Sequence, residues 1–270
     1  MKKKIKINKT IIFCLFIFYL ISILSISSTL NYLPETLNNL VIKQTIFYIL
    51  GIVLILIIIN IDSNILINKS KYIYLLNVFL LLLVLIIGEK TNGIKAWFYI
   101  PVFGSFQPSE FMKISLILFL AEIINKNRKS EQCDFNLIIK CLIITLIPSI
   151  LTFLEPDTGA VIVYFVILIV MLFVSGINLK WFIYFIFLGI FGLGSILYLY
   201  LYKQDLFISI FGSSLFYRLD RLFDFVNLNG MQLTNSIISI SSSGIFGHGI
   251  NNIPIYFPEL QTDFIFASFT

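Results

Sequence analysis

Charged side chains stand at helical spacings in a few polar stretches of an otherwise apolar chain. The stretch at residues 91–113, TNGIKAWFYIPVFGSFQPSEFMK, ends on Glu110 and Lys113, which are three residues apart and share one helix face. Ionisable groups near membrane depth suggest a site, here Lys95 and Lys113 contacting an anionic headgroup with Glu110 orienting Lys113. The alternative is a capped helix with an interfacial ion pair, beside an aromatic belt that includes Trp97.

Two further acids, Asp157 and Asp263, stand directly before apolar runs. In LEPDTGAVIVYF, Asp157 is either a simple N-cap or a member of the same outer polar group as Glu110. In PELQTDFIFA, Asp263 is either the cap of a further helix or a carboxylate at the mouth of a lipid-facing cavity. A carboxylate in that position could act as a general base.

The remaining polar stretches are FYRLDRLFDFVN and GMQLTNSIISISSSGIFGHGI. In the first, Arg218 and Arg221 are three residues apart on an amphipathic helix, which either anchors at the membrane surface or binds phosphate oxygens. The second predicts a re-entrant or surface helix followed by a loop. It carries the only histidine, His248, which is more typical of a packed or hydrogen-bonded residue than of a catalyst.

The elements that must position these residues are membrane helices. Of the 270 residues, 59% are hydrophobic and only 12% charged, which excludes a soluble globular enzyme and a disordered chain. Apolar runs predict an all-α, polytopic membrane helical bundle with about seven transmembrane helices within residues 1–202. These helices lie roughly at 11–27, 45–61, 72–88, 111–124, 137–153, 159–175 and 181–202. Residues 203–270 are predicted as a large extracytoplasmic loop with amphipathic helices and the start of an incomplete eighth helix.

The distribution of charge predicts that the N-terminus is cytoplasmic. With that orientation, 12 of the 19 Lys and Arg residues lie in inner segments, and 10 of the 14 acids lie outside. The polar residues therefore gather on the non-cytoplasmic face. The net charge of +5 is attributed to loops that face anionic membrane lipid, so no nucleic-acid partner is predicted.

Motifs for cofactors are lacking in the sequence. No phosphate-binding loop or dinucleotide fingerprint is found, and the three cysteines form no C-x-x-C pair. No ligand spacing demands a metal ion, although a divalent cation beside the acids is chemically compatible with them.

Five stretches in this order, NGIKAW, FQPSEFMK, EPDTGA, QLTNSIISISSSGIFGHG and PELQTDFIFA, resemble the SEDS family (shape, elongation, division and sporulation), whose members include RodA, FtsW and SpoVE. The resemblance implies a peptidoglycan glycosyltransferase that polymerises lipid II at the outer face of the bacterial cytoplasmic membrane. It also implies a class B penicillin-binding protein, a transpeptidase, as partner. Family members have about ten spans, so the chain resembles a C-terminally truncated copy.

The resemblance assigns Asp263 as the catalytic residue, which deprotonates the acceptor sugar hydroxyl. The expected substrate-binding residues are Lys95, Trp97, Gln107, Ser109, Glu110, Lys113, Asp157, Arg218, Arg221, Gln232 and Thr262. Ala96, Thr158, Ala160 and Gln261 depart from the usual family residues at their positions.

Two other functions are compatible with a polytopic membrane chain. A transporter (flippase) of lipid-linked precursor would carry a substrate site near the membrane midplane, whereas the acids here gather on one face. A non-catalytic truncated scaffold for a transpeptidase is the other alternative.

Overall fold

The computed structural model describes residues 8–33, 39–91, 94–100, 104–129, 134–213, 215–217, 219–220, 230–245, 247–249 and 251–269. The helices of this part are α1 (Lys9–Thr29), α2 (Leu40–Ile59), α3 (Ser63–Asn68), α4 (Ser70–Ile87), α5 (Pro108–Lys129), α6 (Asp134–Leu154), α7 (Thr158–Val174), α8 (Leu179–Tyr202), α9 (Gln204–Phe211), α10 (Met231–Ser242) and α11 (Ile265–Phe269). The strands are β1 (Glu89–Thr91), β2 (Ile94–Ile100) and β3 (Gly104–Phe106), and a 3₁₀ turn, Leu30–Tyr32, follows α1.

Seven long helices coincide with the seven predicted apolar runs, which confirms the helical membrane fold. Among the described residues, five helices are long and apolar enough to cross a membrane, and α7 is a shorter apolar helix. Helix α2 has no buried residue along its 20 positions. A helix that is apolar all round and exposed is suited to hydrocarbon rather than to water.

The segment between α4 and α5, for which the sequence indicates an aromatic belt beside a capped helix, contains a small antiparallel sheet. Trp97 of β2 pairs with Glu89 of β1, and Phe98 pairs with Phe106 of β3. β2 is rich in β-branched and aromatic residues, which is the composition that favours a strand. The sheet leads directly into α5 and so sets where that helix begins.

The chain divides into two compact units, one of which comprises Ile61–Ile210. Its core is formed where α4 packs on α5 and where α5 packs on α6 and α7. Leu81 of α4, Met112 and Leu116 of α5 and Tyr164 of α7 are fully enclosed there or nearly so. Helix α5 is therefore the central helix of this unit.

The other unit comprises Met1–Asn60 and Phe211–Thr270. In it α1 packs on α2 and on α11, and α10 packs on α11. Tyr32 ties the end of α1 to the segment before α11, because its hydroxyl donates to the carbonyl of Asn251 at 3.2 Å and accepts from the amide of Ile253 at 3.1 Å. Much of the amphipathic helix predicted at 216–227 lies outside the described residues.

A buried carboxylate joins α4 and α5 near the end of α5 that is remote from the sheet. Glu122 is only 5% exposed, accepts a hydrogen bond from the Ser70 hydroxyl and forms an ion pair with Lys126. Because a buried charge is costly unless it is paired and hydrogen-bonded, this arrangement fixes the register of the two helices.

Gly88 ends α4 at a point where the chain has no room for a side chain. A Cβ at this position would overlap the carbonyl oxygen of Val84 and lie 2.9 Å from Val84 Cγ2. Directly beyond it, the ammonium of Lys95 donates to the carbonyl of Ile86 at 3.1 Å, which attaches the sheet to the end of the helix.

We expect Gly88→Ala to destabilise the protein by about 1–3 kcal/mol, because the added methyl group must displace backbone. The matched control is Gly51→Ala in the interior of α2, where a Cβ would have nothing within 4 Å. This control should raise stability by at most about 1 kcal/mol. Thermal unfolding of the two variants in detergent measures the difference, and equal midpoints would contradict the close approach at Gly88.

Candidate active site

The carboxylate of Asp157 is the centre of the polar site in the unit formed by residues 61–210. Its Oδ2 accepts hydrogen bonds from Gln107 Nε2 at 2.9 Å and from the Ser109 hydroxyl at 3.3 Å. Its Oδ1 accepts the amide of Ala160 at 3.0 Å, so Asp157 is the N-cap of α7. One carboxylate thus joins the beginnings of α5 and α7.

Tyr164 of α7 makes a second connection between α7 and the first turn of α5. Its hydroxyl donates to the carbonyl of Ser109 at 2.9 Å and lies 3.4 Å from the hydroxyl of Thr152. Tyr164 and Thr152 are fully enclosed. The first turn of α5 is therefore held by α7 both through Asp157 and through Tyr164.

Glu110 in the first turn of α5 and Lys113 in the next turn form the predicted ion pair. Lys113 Nζ donates to Glu110 Oε1 at 2.6 Å, and the two side chains are 26% and 55% exposed for Lys113 and Glu110, respectively. The ammonium is thus oriented by a carboxylate yet remains open to a ligand. An acid in the first turn is also favoured by the helix dipole.

Lys95 and Trp97 both lie in β2, two residues apart, and so belong to the same face of the strand. The Lys95 ammonium is engaged with the backbone carbonyl of Ile86 at the end of α4. A cation at the C-terminus of a helix is stabilised by the orphan carbonyls and the dipole. Lys95 therefore has a structural role here beside its predicted contact with substrate, while Trp97 is half-buried.

Glu155 is a buried acid of this site that the sequence did not single out as functional. It is fully enclosed, and neither of its carboxylate oxygens has a hydrogen-bond partner among the described residues. Burial, together with the negative charge of Asp157, raises the pKa of Glu155 to about 8. Near neutral pH this side chain is therefore mostly an uncharged carboxylic acid.

Asp263 lies in the other compact unit, in a turn directly before α11. It is exposed, and within the described part of the chain its carboxylate has no hydrogen-bond or ion-pair partner. The turn itself is held by Glu259, whose carbonyl accepts the amides of Thr262 at 3.2 Å and Phe264 at 3.3 Å. The Glu259 carboxylate also accepts the Thr262 hydroxyl at 2.8 Å and Gln261 Nε2 at 3.3 Å.

A cavity of about 290 Å³ lies in the same unit as Asp263, between α1, the segment around His248 and α11. His248 Nε2 is 3.0 Å from the hydroxyl of Ser242 and 3.2 Å from the carbonyl of Ser239. The histidine is thus hydrogen-bonded to α10, as a packed residue would be.

The structure brings together Gln107, Ser109 and Asp157, and it pairs Glu110 with Lys113. Gln232 is exposed in the first turn of α10, and Thr262 contacts Glu259. Arg218 and Arg221 lie outside the described residues. The predicted gathering of Asp263 with the Glu110, Lys113 and Asp157 group remains a prediction, because Asp263 belongs to the other unit.

No group of three or more His, Cys, Asp or Glu side chains among the described residues is arranged to hold a metal ion. Asp157 is occupied by three donors from the protein, and Glu110 is paired with Lys113. The arrangement instead suits anion binding by an oriented ammonium, because Lys113 is held by one carboxylate and is partly open.

Sequence reasoning overlooked Glu155, Tyr164 and Glu259 as members of these sites. Tyr164 was not recognised as a site residue because it stands in a long apolar run, where an aromatic residue is normally interpreted as part of the core. Glu259 stands three residues before Thr262 in a turn, and a local contact between their side chains at this spacing is the signal that the sequence offers.

We expect Asp157→Ala to lower the free energy of unfolding by about 2–4 kcal/mol, because it removes an N-cap and leaves two partly buried donors unpaired. The matched control is Asp62→Ala, since Asp62 is an exposed cap of α3 that accepts only the amide of Asn64 in the described structure. That change should cost about 1 kcal/mol. Equal losses in thermal or denaturant unfolding would mean that Asp157 is only a cap.

Comparison with known proteins assigns the chain to a family. A family model described as "Cell cycle protein", which covers FtsW, RodA and SpoVE, matches residues 6–270. Stage V sporulation protein E of Bacillus subtilis is 32% identical over 236 residues, covering 83% of this chain and 60% of the relative. A probable peptidoglycan glycosyltransferase FtsW of Wigglesworthia glossinidia brevipalpis is 33% identical over 282 residues, covering 98% of this chain and 70% of that protein.

Solved structures share the same fold. The chain matches the crystal structure of Thermus thermophilus rod shape determining protein RodA with a TM-score of 0.58 at 24% identity, over 72% of this chain and 60% of that one. It matches a chain of a peptidoglycan synthase complex with a TM-score of 0.68 at 22% identity, over 97% of this chain and 70% of that one. The family motifs, the family model and the fold agree, and the chain therefore belongs to the SEDS family of FtsW, RodA and SpoVE cell cycle proteins.

Proposed function

We propose that the chain is a peptidoglycan glycosyltransferase that polymerises lipid II into glycan strands at the outer face of the bacterial cytoplasmic membrane, in cell elongation, division or sporulation. The name of the FtsW relative supports the reaction class, although the chain spans only 60–70% of the length of the two relatives described above. The observation that carries the proposal is the Asp263 carboxylate, which is exposed, without a partner in the described structure, and fixed by the Glu259 turn.

In the proposed reaction, Asp263 accepts the proton of the acceptor sugar hydroxyl as that oxygen attacks the anomeric carbon of the donor. The new carbon–oxygen bond forms while the bond to the donor's pyrophosphate breaks, and the leaving group keeps the electron pair. A general base must be accessible and held in place, and both conditions are met by an exposed side chain on a hydrogen-bonded turn.

The leaving group is an undecaprenyl pyrophosphate, so negative charge develops away from Asp263. An oriented cation stabilises such charge in the transition state, and Lys113 is the described residue best suited to this role. Arg218 and Arg221 are proposed as further phosphate ligands on the ground of their spacing in the sequence. Lys95 is proposed to stabilise the same negative charge through the electrostatic field of its ammonium group, which lies at the end of α4.

The other site residues are proposed to hold the substrate in position. Gln107, Ser109 and Asp157 fix the first turn of α5 and with it Lys113. Trp97 is proposed to pack against a sugar face. Gln232 and Thr262 offer amide and hydroxyl groups on the side of Asp263.

The chain is a multi-pass membrane protein, and we propose that its N-terminus is cytoplasmic. Residues 203–270 then form an extracytoplasmic segment that carries the proposed base, after the helices of residues 1–202. We further propose a class B penicillin-binding protein as the transpeptidase partner. A similar fold occurs in a complex that coordinates polymerisation and crosslinking, which supports this partner class.

Asp263→Asn should lower the rate of glycan polymerisation from lipid II by a factor of about 100 or more, because an amide cannot accept the proton. The full-length protein is purified in detergent, and the products are separated by gel electrophoresis. Asp205→Asn, the same change at an exposed acid of α9, is the control and should retain the wild-type rate. Equal polymer formation by wild type and Asp263→Asn would eliminate Asp263 as the base, and flipping of a labelled lipid without polymer would favour a transporter.

Lys113→Met should lower the polymerisation rate by a factor of about 10–100, since it keeps the side-chain stem and removes the charge that is proposed to stabilise the leaving group. Lys180→Met, at an exposed lysine in the first turn of α8, is the control and should leave the rate unchanged. If the Lys113→Met rate is within twofold of wild type and the thermal midpoint is the same, the proposed role is contradicted and the Glu110–Lys113 pair is only a surface ion pair.

A further inference from the structure

Glu155 combines complete enclosure with the absence of any partner for its carboxylate in the described structure. An unpaired charge at such a place is costly, and the acid avoids this cost by keeping its proton. The residue directly follows α6 and stands two positions before Asp157, so the two carboxyl groups belong to the same short turn between α6 and α7.

The charged and titratable groups around Glu155 come from each helix that meets there. Asp157 acts on it from the same turn, and Tyr164 contributes its hydroxyl from α7. From the first turn of α5, Glu110 reaches the same Tyr164 hydroxyl electrostatically, and Glu110 is itself paired with Lys113. From α6, the uncharged Thr152 hydroxyl lies 3.4 Å from the Tyr164 hydroxyl.

The protonation state of Glu155 decides the charge of this cluster. With Glu155 neutral, Glu110 is paired with Lys113, and Asp157 is the carboxylate of this cluster that has no cationic partner among the described residues and accepts hydrogen bonds from Gln107 and Ser109. With Glu155 ionised, two uncompensated carboxylates repel one another in an enclosed space. Because Asp157 is partly exposed and Glu155 is not, Asp157 is the group that can move away.

We propose that Glu155 is a positioning residue that acts as a neutral carboxylic acid, and that the loss of its proton at alkaline pH displaces Asp157 and inactivates the site. The displacement would free Gln107 and Ser109 and release the first turn of α5, which carries Glu110, the ion-pair partner of Lys113. This inference rests on the proposed function for its activity readout, and it adds a pH-sensitive element to that site.

The rate of lipid II polymerisation is measured from pH 6 to pH 10 for wild type, Glu155→Gln and the control Asp205→Asn. A single proton that leaves near pH 8 lowers the wild-type rate about tenfold between pH 7 and pH 9. Glu155→Gln, an isostere without a proton to lose, should hold its own pH 7 rate within twofold at pH 9, and Asp205→Asn should follow the wild type. The same alkaline loss in Glu155→Gln and wild type would overturn the proposal.

Thermal unfolding provides a second readout that does not need activity. The pKa of Glu155 is raised from 4.5 to about 8 on folding, so the wild type loses stability as pH rises between these values, where the unfolded chain ionises and the native one does not. The wild-type midpoint should therefore fall more between pH 5 and pH 8 than that of Glu155→Gln. Equal falls, or failure of Glu155→Gln to fold, would overturn the proposal. Absence of polymer from the wild type at every pH would contradict the proposed function alone, and the unfolding comparison would still decide the role of Glu155.

Discussion

The carboxylate of Asp157 is the constraint on which the polar site depends. It accepts donors from the beginning of α5 and from the beginning of α7, two helices that pack along their lengths through apolar contacts. Apolar packing alone fixes the distance between helices far better than their rotation or register. The hydrogen bonds to Asp157 supply that missing specification at the end of α5 that carries the Glu110–Lys113 pair.

Environment divides the acids of this protein into different chemical kinds. Asp263 is exposed on a turn, Asp157 accepts three hydrogen bonds, and Glu155 is enclosed and mostly neutral near pH 7. Three carboxyl groups with nearly the same intrinsic acidity are thus suited to different roles, namely the proposed base, a structural acceptor and a neutral acid. The surroundings rather than the residue type determine the role.

The sequence predicts the helices well, because long apolar runs have few alternatives to a membrane helix. It also predicts the Glu110–Lys113 pair, since a spacing of three residues is a local property. The bonds of Asp157 to Gln107 and Ser109 span about 50 positions and depend on how α5 packs against α7, so they could only be seen in the structure. The sheet was not predicted because β2 has no polar–apolar alternation, and its aromatic residues fit an interfacial aromatic belt equally well.

Helix α5 has a feature that concerns the membrane itself. Only nine positions separate Lys113 from Glu122, which corresponds to about 14 Å along the helix axis. The hydrocarbon core of a bilayer is about 30 Å thick. The inner members of the two ion pairs, Lys113 and Glu122, are thus closer together than the two surfaces of an undisturbed bilayer. Snorkelling of the long side chains, thinning of the lipid around α5, or burial of one pair within the protein each accommodates this mismatch, and bilayer thickness is therefore a physical variable that acts on this helix.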